Sequence, residues 1–374
     1  MKMMLGLAAV ASVLVTCRCS GADADFDLLR KRKNPDMDAR GWHEEGFAFA
    51  ERRGADFETL RVDKIERPPF EITRFHVSNV TAEDFRDKYE SIHEPLIIDG
   101  VPEAEGWGAA NWTIPTLSRK YPNMTVIVGT DDDKEPIRLS MKDFERYSDT
   151  NTDDTPMYVF DWRVYDDDVG KEAMSEYRVP SIFTEDLFQL VQGRKDYPSH
   201  RWLLVGPKRS GSNIHNDPLG TSAWNTLLSG RKLWFIAPPH LESALLKTRE
   251  SCTAKWFLEE VPKIQARYAD EVMLYVQHPG ETMFVPGFWM HAVLNLDDTT
   301  AVTQNIVTSH NFPEAWDYTR QYLPAFAAEW LKKLKLHHGD LGLVADRITA
   351  DSRFVLEGDD DDDDEDDDDD ELEG

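Results

Sequence analysis

The chain has 374 residues, 41% of them hydrophobic, enough for one large β domain or two smaller ones and too apolar for a disordered chain. A net charge of −28 argues against a nucleic-acid partner. Half of that excess is the 14 acids between Asp359 and Glu373, leaving −14 for the rest.

In chain order, Lys2 and the apolar run Met3 to Val15 come first, followed by small and polar residues through Ala24. This is the order of a secretory signal peptide (residues 1–24), with Ala22-Asp23-Ala24 as a cleavage context. The run is too short to span a membrane, and no other segment approaches that length. The expected location is the endoplasmic reticulum lumen or the exterior; the nucleus is the alternative. Cys17 and Cys19 would leave with the signal, so Cys252 would have no partner for a disulfide. Asn79-Val80-Thr81, Asn111-Trp112-Thr113 and Asn123-Met124-Thr125 are sequons consistent with that route.

Residues 25–70 form a mixed-charge arm ending in Pro68-Pro69. Within it, Arg30-Lys31-Arg32-Lys33 reads as a solvated charge patch. Val80 to Phe85 opens a helix, and Pro95 to Ile98 and Thr125 to Val128 read as buried strands extending one sheet of the core. Short stretches rich in β-branched and aromatic residues, cut by Gly and Pro, then predict a β-barrel or jelly roll rather than a parallel α/β sheet. A helical insertion is expected at Leu241 to Thr248 and Trp256 to Tyr268. Two more helices are expected at Glu314 to Leu323 and Ala325 to Leu336, broken at Pro324, with Phe326, Trp330 and Leu334 on one face. The divisions are therefore 71–312 for the main β domain with its N-terminal extension, 313–356 for C-terminal helices and 357–374 for a disordered acidic tail.

His215 and Asp217 in Ile214-His215-Asn216-Asp217, with the distant His291, carry the chemistry. A His-x-Asp pair on a strand sends both side chains to one side. A second His completes the 2-His-1-carboxylate set of non-haem Fe(II) oxygenases, which leaves three positions open. Each residue also has an ordinary use: a core histidine, an aspartate opening a turn before Pro218, a strand-edge lysine at Lys232, a strand-filling Thr303. Trp224 and Trp234 read as core filling, whereas Phe288 and Trp289 stand beside a ligand as site walls.

Residues of roughly 155–320 resemble the Jumonji-C (JmjC) dioxygenases, built on a double-stranded β-helix of the cupin group. The resemblance is carried by Gly206-Pro207-Lys208-Arg209-Ser210-Gly211, by His215 to Asn225 and by His291 to Asn305. It is nearest to the bifunctional arginine demethylase and lysyl hydroxylase subgroup, and weaker similarity runs upstream through Tyr158 and Tyr121 to about Lys31. It implies a mainly β fold with flanking helices, Fe(II) on His215, Asp217 and His291, and the co-substrate 2-oxoglutarate on Tyr158, Asn225, Lys232 and Thr303. Ser212 stands where the family often has another hydroxyl. Asn216 replaces an apolar residue and is expected to point away from the metal. The implied reaction uses O2 to hydroxylate a protein or peptide side chain, peptidyl lysine first, with N-methyl-arginine demethylation as the alternative. Two other classes remain open: a non-catalytic metal-binding cupin, and a luminal protein binding calcium weakly through Asp359 to Asp370. In such a family the C-terminal helices can support a homodimer, and an intramolecular helix pair is equally consistent.

Overall fold

The computed structural model describes residues 25–33, 72–131, 133–250 and 252–351. The signal peptide, most of the arm and the acidic run fall outside these residues. Strands β1 (Thr73–His76), β2 (Leu96–Asp99), β5 (Val159–Asp161), β6 (Arg201–Gly206), β8 (Ser222–Ser229), β11 (Glu281–Val285) and β13 (Thr299–Ile306) form a seven-stranded sheet in the order β1-β2-β11-β8-β13-β6-β5. Strands β7 (Gly211–His215), β9 (Lys232–Ala237), β10 (Met273–Gln277) and β12 (Met290–Asn295) form a second, in the order β10-β9-β12-β7. Except for the parallel β1–β2 pair, all these ladders are antiparallel. Successive strands alternate between the sheets from β6 to β9, the winding of a double-stranded β-helix. The expected jelly roll with flanking helices is what forms.

Alternation assigns the two faces of each sheet. Trp224, Val302, Leu203, Val205 and Phe284 point out of the barrel into one core shared with the N-terminal extension. Leu233, Phe235, Ile214, Ala292 and Leu294 point out of the other sheet and are covered by the insertion between β9 and β10. That insertion holds helices Glu242–Leu246, Thr253–Glu259 and Val261–Tyr268, the last two separated where Pro262 restarts the helix. The expectation that residues 72–157 extend one sheet is half right. β1 and β2 join the large sheet, but β3 (Thr125–Thr130) and β4 (Pro136–Ser140) pair only with each other among the described residues.

The C-terminal helices are Phe312–Tyr322 and Pro324–His337, with a third, Gly339–Ala350, that the sequence reading missed. Phe326, Trp330 and Leu334 are buried together as their spacing requires. The basic cluster is not a solvated patch. Helix Phe26–Lys33 docks on the domain through Arg30, whose Nε is 2.9 Å from Oδ2 of Asp153, a side chain with no exposure. Burial, opposed by Asp153, lowers the Lys33 ammonium to about 8. Arg32, paired with Asp131 at the surface, behaves as expected.

Strand direction gives the barrel two distinct ends. β7 runs toward the end where His215 and Asp217 lie, and β12 starts there with His291. β11 and β13 run toward that rim, so Glu281 and Thr300 mark the opposite end.

Candidate active site

β7 ends at His215, and Asp217 follows in extended backbone (φ −71°, ψ 143°) before the 3-10 turn Pro218–Gly220. The Asp217 side chain does not cap that turn, so opening the turn does not explain it. Its Oδ2 is buried without a hydrogen-bond partner. His291 stands directly opposite His215 in the β7–β12 ladder, with ring centroids 4.2 Å apart. Its Nε2 is 4.0 Å from Asp217 Oδ2, and one ligand atom from each of the three residues lies within 4.8 Å of the others.

Each imidazole donates its Nδ1–H to the carbonyl two residues before it, His215 to Asn213 (2.6 Å) and His291 to Trp289 (3.0 Å). Those bonds leave both Nε2 lone pairs free for a ligand. Burial, and then the neighbouring His291, hold the His215 imidazole down at about 4, so it is neutral at neutral pH. Two imidazoles with open Nε2 atoms and a carboxylate with an unsatisfied oxygen fit a divalent first-row metal with open positions. Backbone packing fixes the loops that carry them. A Cβ at Gly287 would run into the carbonyl of Gly220, and Leu219 (φ 58°) and Phe288 (φ 65°) hold left-handed backbone beside the two glycines. Asn311, which the sequence reading missed, ties the same loops by donating to Gly220 O (3.4 Å) and Ser222 Oγ (3.1 Å).

Deeper in the barrel, Lys232 opens β9 at 1% exposure. It is no edge lysine, because β9 is flanked by β10 and β12. Nζ donates to Tyr158 OH and to Asn295 Oδ1, both 3.2 Å away, and stands over the Tyr158 ring at 5.6 Å. Both partners are neutral, and burial alone lowers the ammonium to about 7. Burial raises the Tyr158 phenol well above its usual range, so it remains a donor. Asn295 was not foreseen, although it lies four residues after His291 on the same face of β12. Its amide donates to Ser210 Oγ (2.8 Å), which turns Oδ1 toward Lys232. Gly206 is required here, since a Cβ would overlap Ser210 Oγ, the Tyr158 ring and Asn295 Nδ2.

Asn225 and Thr303 are cross-strand partners on the inner face of the large sheet. Asn225 Oδ1 is buried without a partner, so rotating the amide can present either its oxygen or its NH2 to a ligand. The Thr303 hydroxyl donates to Trp224 O (2.8 Å) and must rotate to serve an anion. The site thus has a rim that could hold a metal and a buried lysine among neutral donors. The two are four residues apart along β12, about 13 Å at the rise of a strand.

Other expectations resolve individually. Trp224 fills the outer core, stacked on Phe183 at 5.9 Å. Trp234 is buried inside the barrel and also backs the metal site, 5.9 Å from the His291 ring. Asn216 points away from the triad, donating to Glu242 (3.2 Å). Phe288 packs on Tyr318 at 5.0 Å, and Trp289 donates its indole N–H to His93 O (3.0 Å). Ser212 lies opposite Val293 in the β7–β12 ladder. A row of aromatics was not foreseen. Tyr158, Phe160 and Trp202 follow one another at 6.3 and 5.6 Å, and Phe160 is 39% exposed.

Comparison with known proteins agrees with this geometry. The family described as JmjC domain, hydroxylase, matches residues 202–306. The chain is 36% identical over 306 residues to the bifunctional arginine demethylase and lysyl-hydroxylase psr-1 of Caenorhabditis elegans, covering 78% of this chain and 76% of that protein. It is 30% identical over 266 residues to the arginine-specific demethylase JMJ22 of Arabidopsis thaliana (67% and 49%). It is also 29% identical over 179 residues to the 2-oxoglutarate and iron-dependent oxygenase JMJD4 of Mus musculus (46% and 42%).

Proposed function

This chain belongs to the JmjC family of iron- and 2-oxoglutarate-dependent oxygenases, and from that premise we propose that it hydroxylates lysine side chains of a protein substrate. His215, Asp217 and His291 are the residues that would hold the iron. Lys232, Tyr158, Asn225 and Thr303 would hold the far carboxylate of 2-oxoglutarate. Bound there, iron and 2-oxoglutarate supply the oxidising chemistry that places an oxygen atom from O2 on a C–H bond.

The protein's share is to bind, orient and exclude water. The Nδ1–H bonds to Asn213 and Trp289 keep the imidazoles aimed. Lys232 neutralises a buried carboxylate through a charge-assisted contact, stronger than a neutral one. The observation that carries the reading is the pairing of that buried cation with the triad. A barrel that only binds metal has no use for a carboxylate clamp.

Tyr158, Phe160 and Trp202 support a cationic target, because aromatic faces attract ammonium and guanidinium groups. The same surface suits a methylated guanidinium, which keeps N-methyl-arginine demethylation as the second reading, one that the relatives' names also carry. Purified full-length protein with Fe(II), ascorbate and 2-oxoglutarate should form succinate with a lysine peptide and add one oxygen to it. Formaldehyde and loss of a methylene from a methyl-arginine peptide would favour the second reading. Turnover with neither substrate, the metal being bound, would refute both.

The order of Lys2 to Ala24 supports a reaction in the secretory pathway, in the lumen or outside the cell. The acidic run Asp359 to Asp370 gives an accessory capacity for weak calcium binding. Leu336 and Leu343, 73% and 59% exposed on the C-terminal helices, support pairing of two copies there.

A further inference from the structure

We propose that Asn79, Asn111 and Asn123 are acceptor sites for N-linked oligosaccharide, an inference that rests on the secretory reading above. The structure describes ten asparagines, and only three of them are exposed: Asn79, Asn111 and Asn123. Those three are also the only ones of the ten followed two residues later by Ser or Thr. The others are buried or half-buried, and four of them, Asn225, Asn295, Asn305 and Asn311, lie inside the barrel or beneath its loops. Chance placement of sequons has no reason to select the exposed asparagines, whereas a bulky surface sugar demands exposure.

Local structure suits the modification. Asn79 and Asn111 each end a 3-10 turn, and Asn123 lies in the turn before β3. Among the described residues no side-chain hydrogen bond engages any of the three amides. The middle residues anchor the tripeptides, with Trp112 and Met124 buried. Thr81 and Thr113 cap the following helices through their hydroxyls. Since those hydroxyls are committed in the folded state, transfer belongs to the unfolded chain during synthesis. Folding then leaves each sugar-bearing side chain in solvent.

Position in the barrel matters as much as exposure. β1 runs parallel to β2, and Asp99 at the end of β2 pairs with Glu281, so Asn79 emerges at the end away from the iron rim. Thr300, at that same end, donates to the carbonyl of Trp112 (2.7 Å), which places Asn111 there too. Asn123 precedes the separate β3–β4 hairpin. Glycans at Asn79 and Asn111 leave the rim, where a polypeptide must enter, uncovered.

In the transfer itself, asparagine Nδ2 forms a bond to the anomeric carbon of an oligosaccharide carried on a lipid diphosphate. The anomeric C–O bond breaks, the lipid diphosphate leaves with the electron pair, and the amide proton passes to the transferase. No oxidant or reductant is needed.

The test is translation of the full-length chain with eukaryotic microsomes, followed by protease protection and by peptide N-glycosidase. Protected chain that drops in three steps on deglycosylation is the expected result, each step absent from Asn79→Gln, Asn111→Gln or Asn123→Gln alone. Purified glycosylated and deglycosylated forms should make succinate at equal rates. Protected chain with no mobility shift overturns the acceptor sites while leaving the secretory reading in place. Chain that stays open to protease overturns both. A ladder that lacks one step overturns the assignment at that asparagine alone.

Discussion

Two side chains of the candidate site, Asp217 and Lys232, give measurable consequences. Asp217 has a buried oxygen without a partner. Asp217→Ala should abolish succinate formation, yet raise the stability of the metal-free chain by about 1 kcal/mol, because it removes an unsatisfied acceptor. Thermal denaturation in chelator, beside the activity assay, reads both effects. Lys232 is held down to about 7 by burial. A bound carboxylate favours the ammonium, so below pH 7 the cation is already formed and affinity for 2-oxoglutarate is flat. Above pH 7 binding must take up a proton, and affinity should fall about tenfold per pH unit. Calorimetric titration in buffers of different ionisation heat detects that uptake, and Lys232→Met should show weak binding without the pH dependence.

Among the elements, the small helix Phe26–Lys33 has an effect out of proportion to its length. Arg30 meets an Asp153 that also accepts from the Tyr147 hydroxyl, which in turn accepts from Met157 N just before Tyr158. Arg30→Ala removes the cation that hydrogen-bonds a buried carboxylate, leaving it the charge of Lys33, and should cost about 2 kcal/mol, read as a lowered urea midpoint. Because Asp153 is linked through the Tyr147 hydroxyl to Met157, the residue before Tyr158, the KM for 2-oxoglutarate should rise as well. Gly206 on β6 gives a complementary case. Gly206→Ala pushes on Tyr158 and Asn295 together, costing about 1–3 kcal/mol of overpacking and weakening 2-oxoglutarate more than the protein substrate.

For the whole molecule, the net charge is −28, and the proposed aromatic wall of Tyr158, Phe160 and Trp202 would suit a cation. A basic peptide should therefore be drawn in by the field, and its kcat/KM should fall as salt rises through the range where the Debye length shrinks below about 10 Å. A neutral peptide carrying one target lysine should show a much shallower salt dependence. Equal salt dependence for both would remove any role for long-range charge.

The sequence by itself determined the chemistry. The His-x-Asp spacing, the distant His291 and the alternation in β8, β9 and β13 fix which side chains share a face, since strand geometry leaves no freedom once the register is set. The jelly roll was legible for the same reason. Tertiary structure decided what depends on contacts between segments far apart in the chain. Asn295 and Ser210 became the supports of Lys232 only when β12 paired with β9, and Trp202 joined the aromatic row only when β5 paired with β6. Arg30 looked solvated because the buried carboxylate that claims it lies 123 residues away. Local pattern reports which way a side chain faces, whereas its partner is chosen by the packing of distant elements.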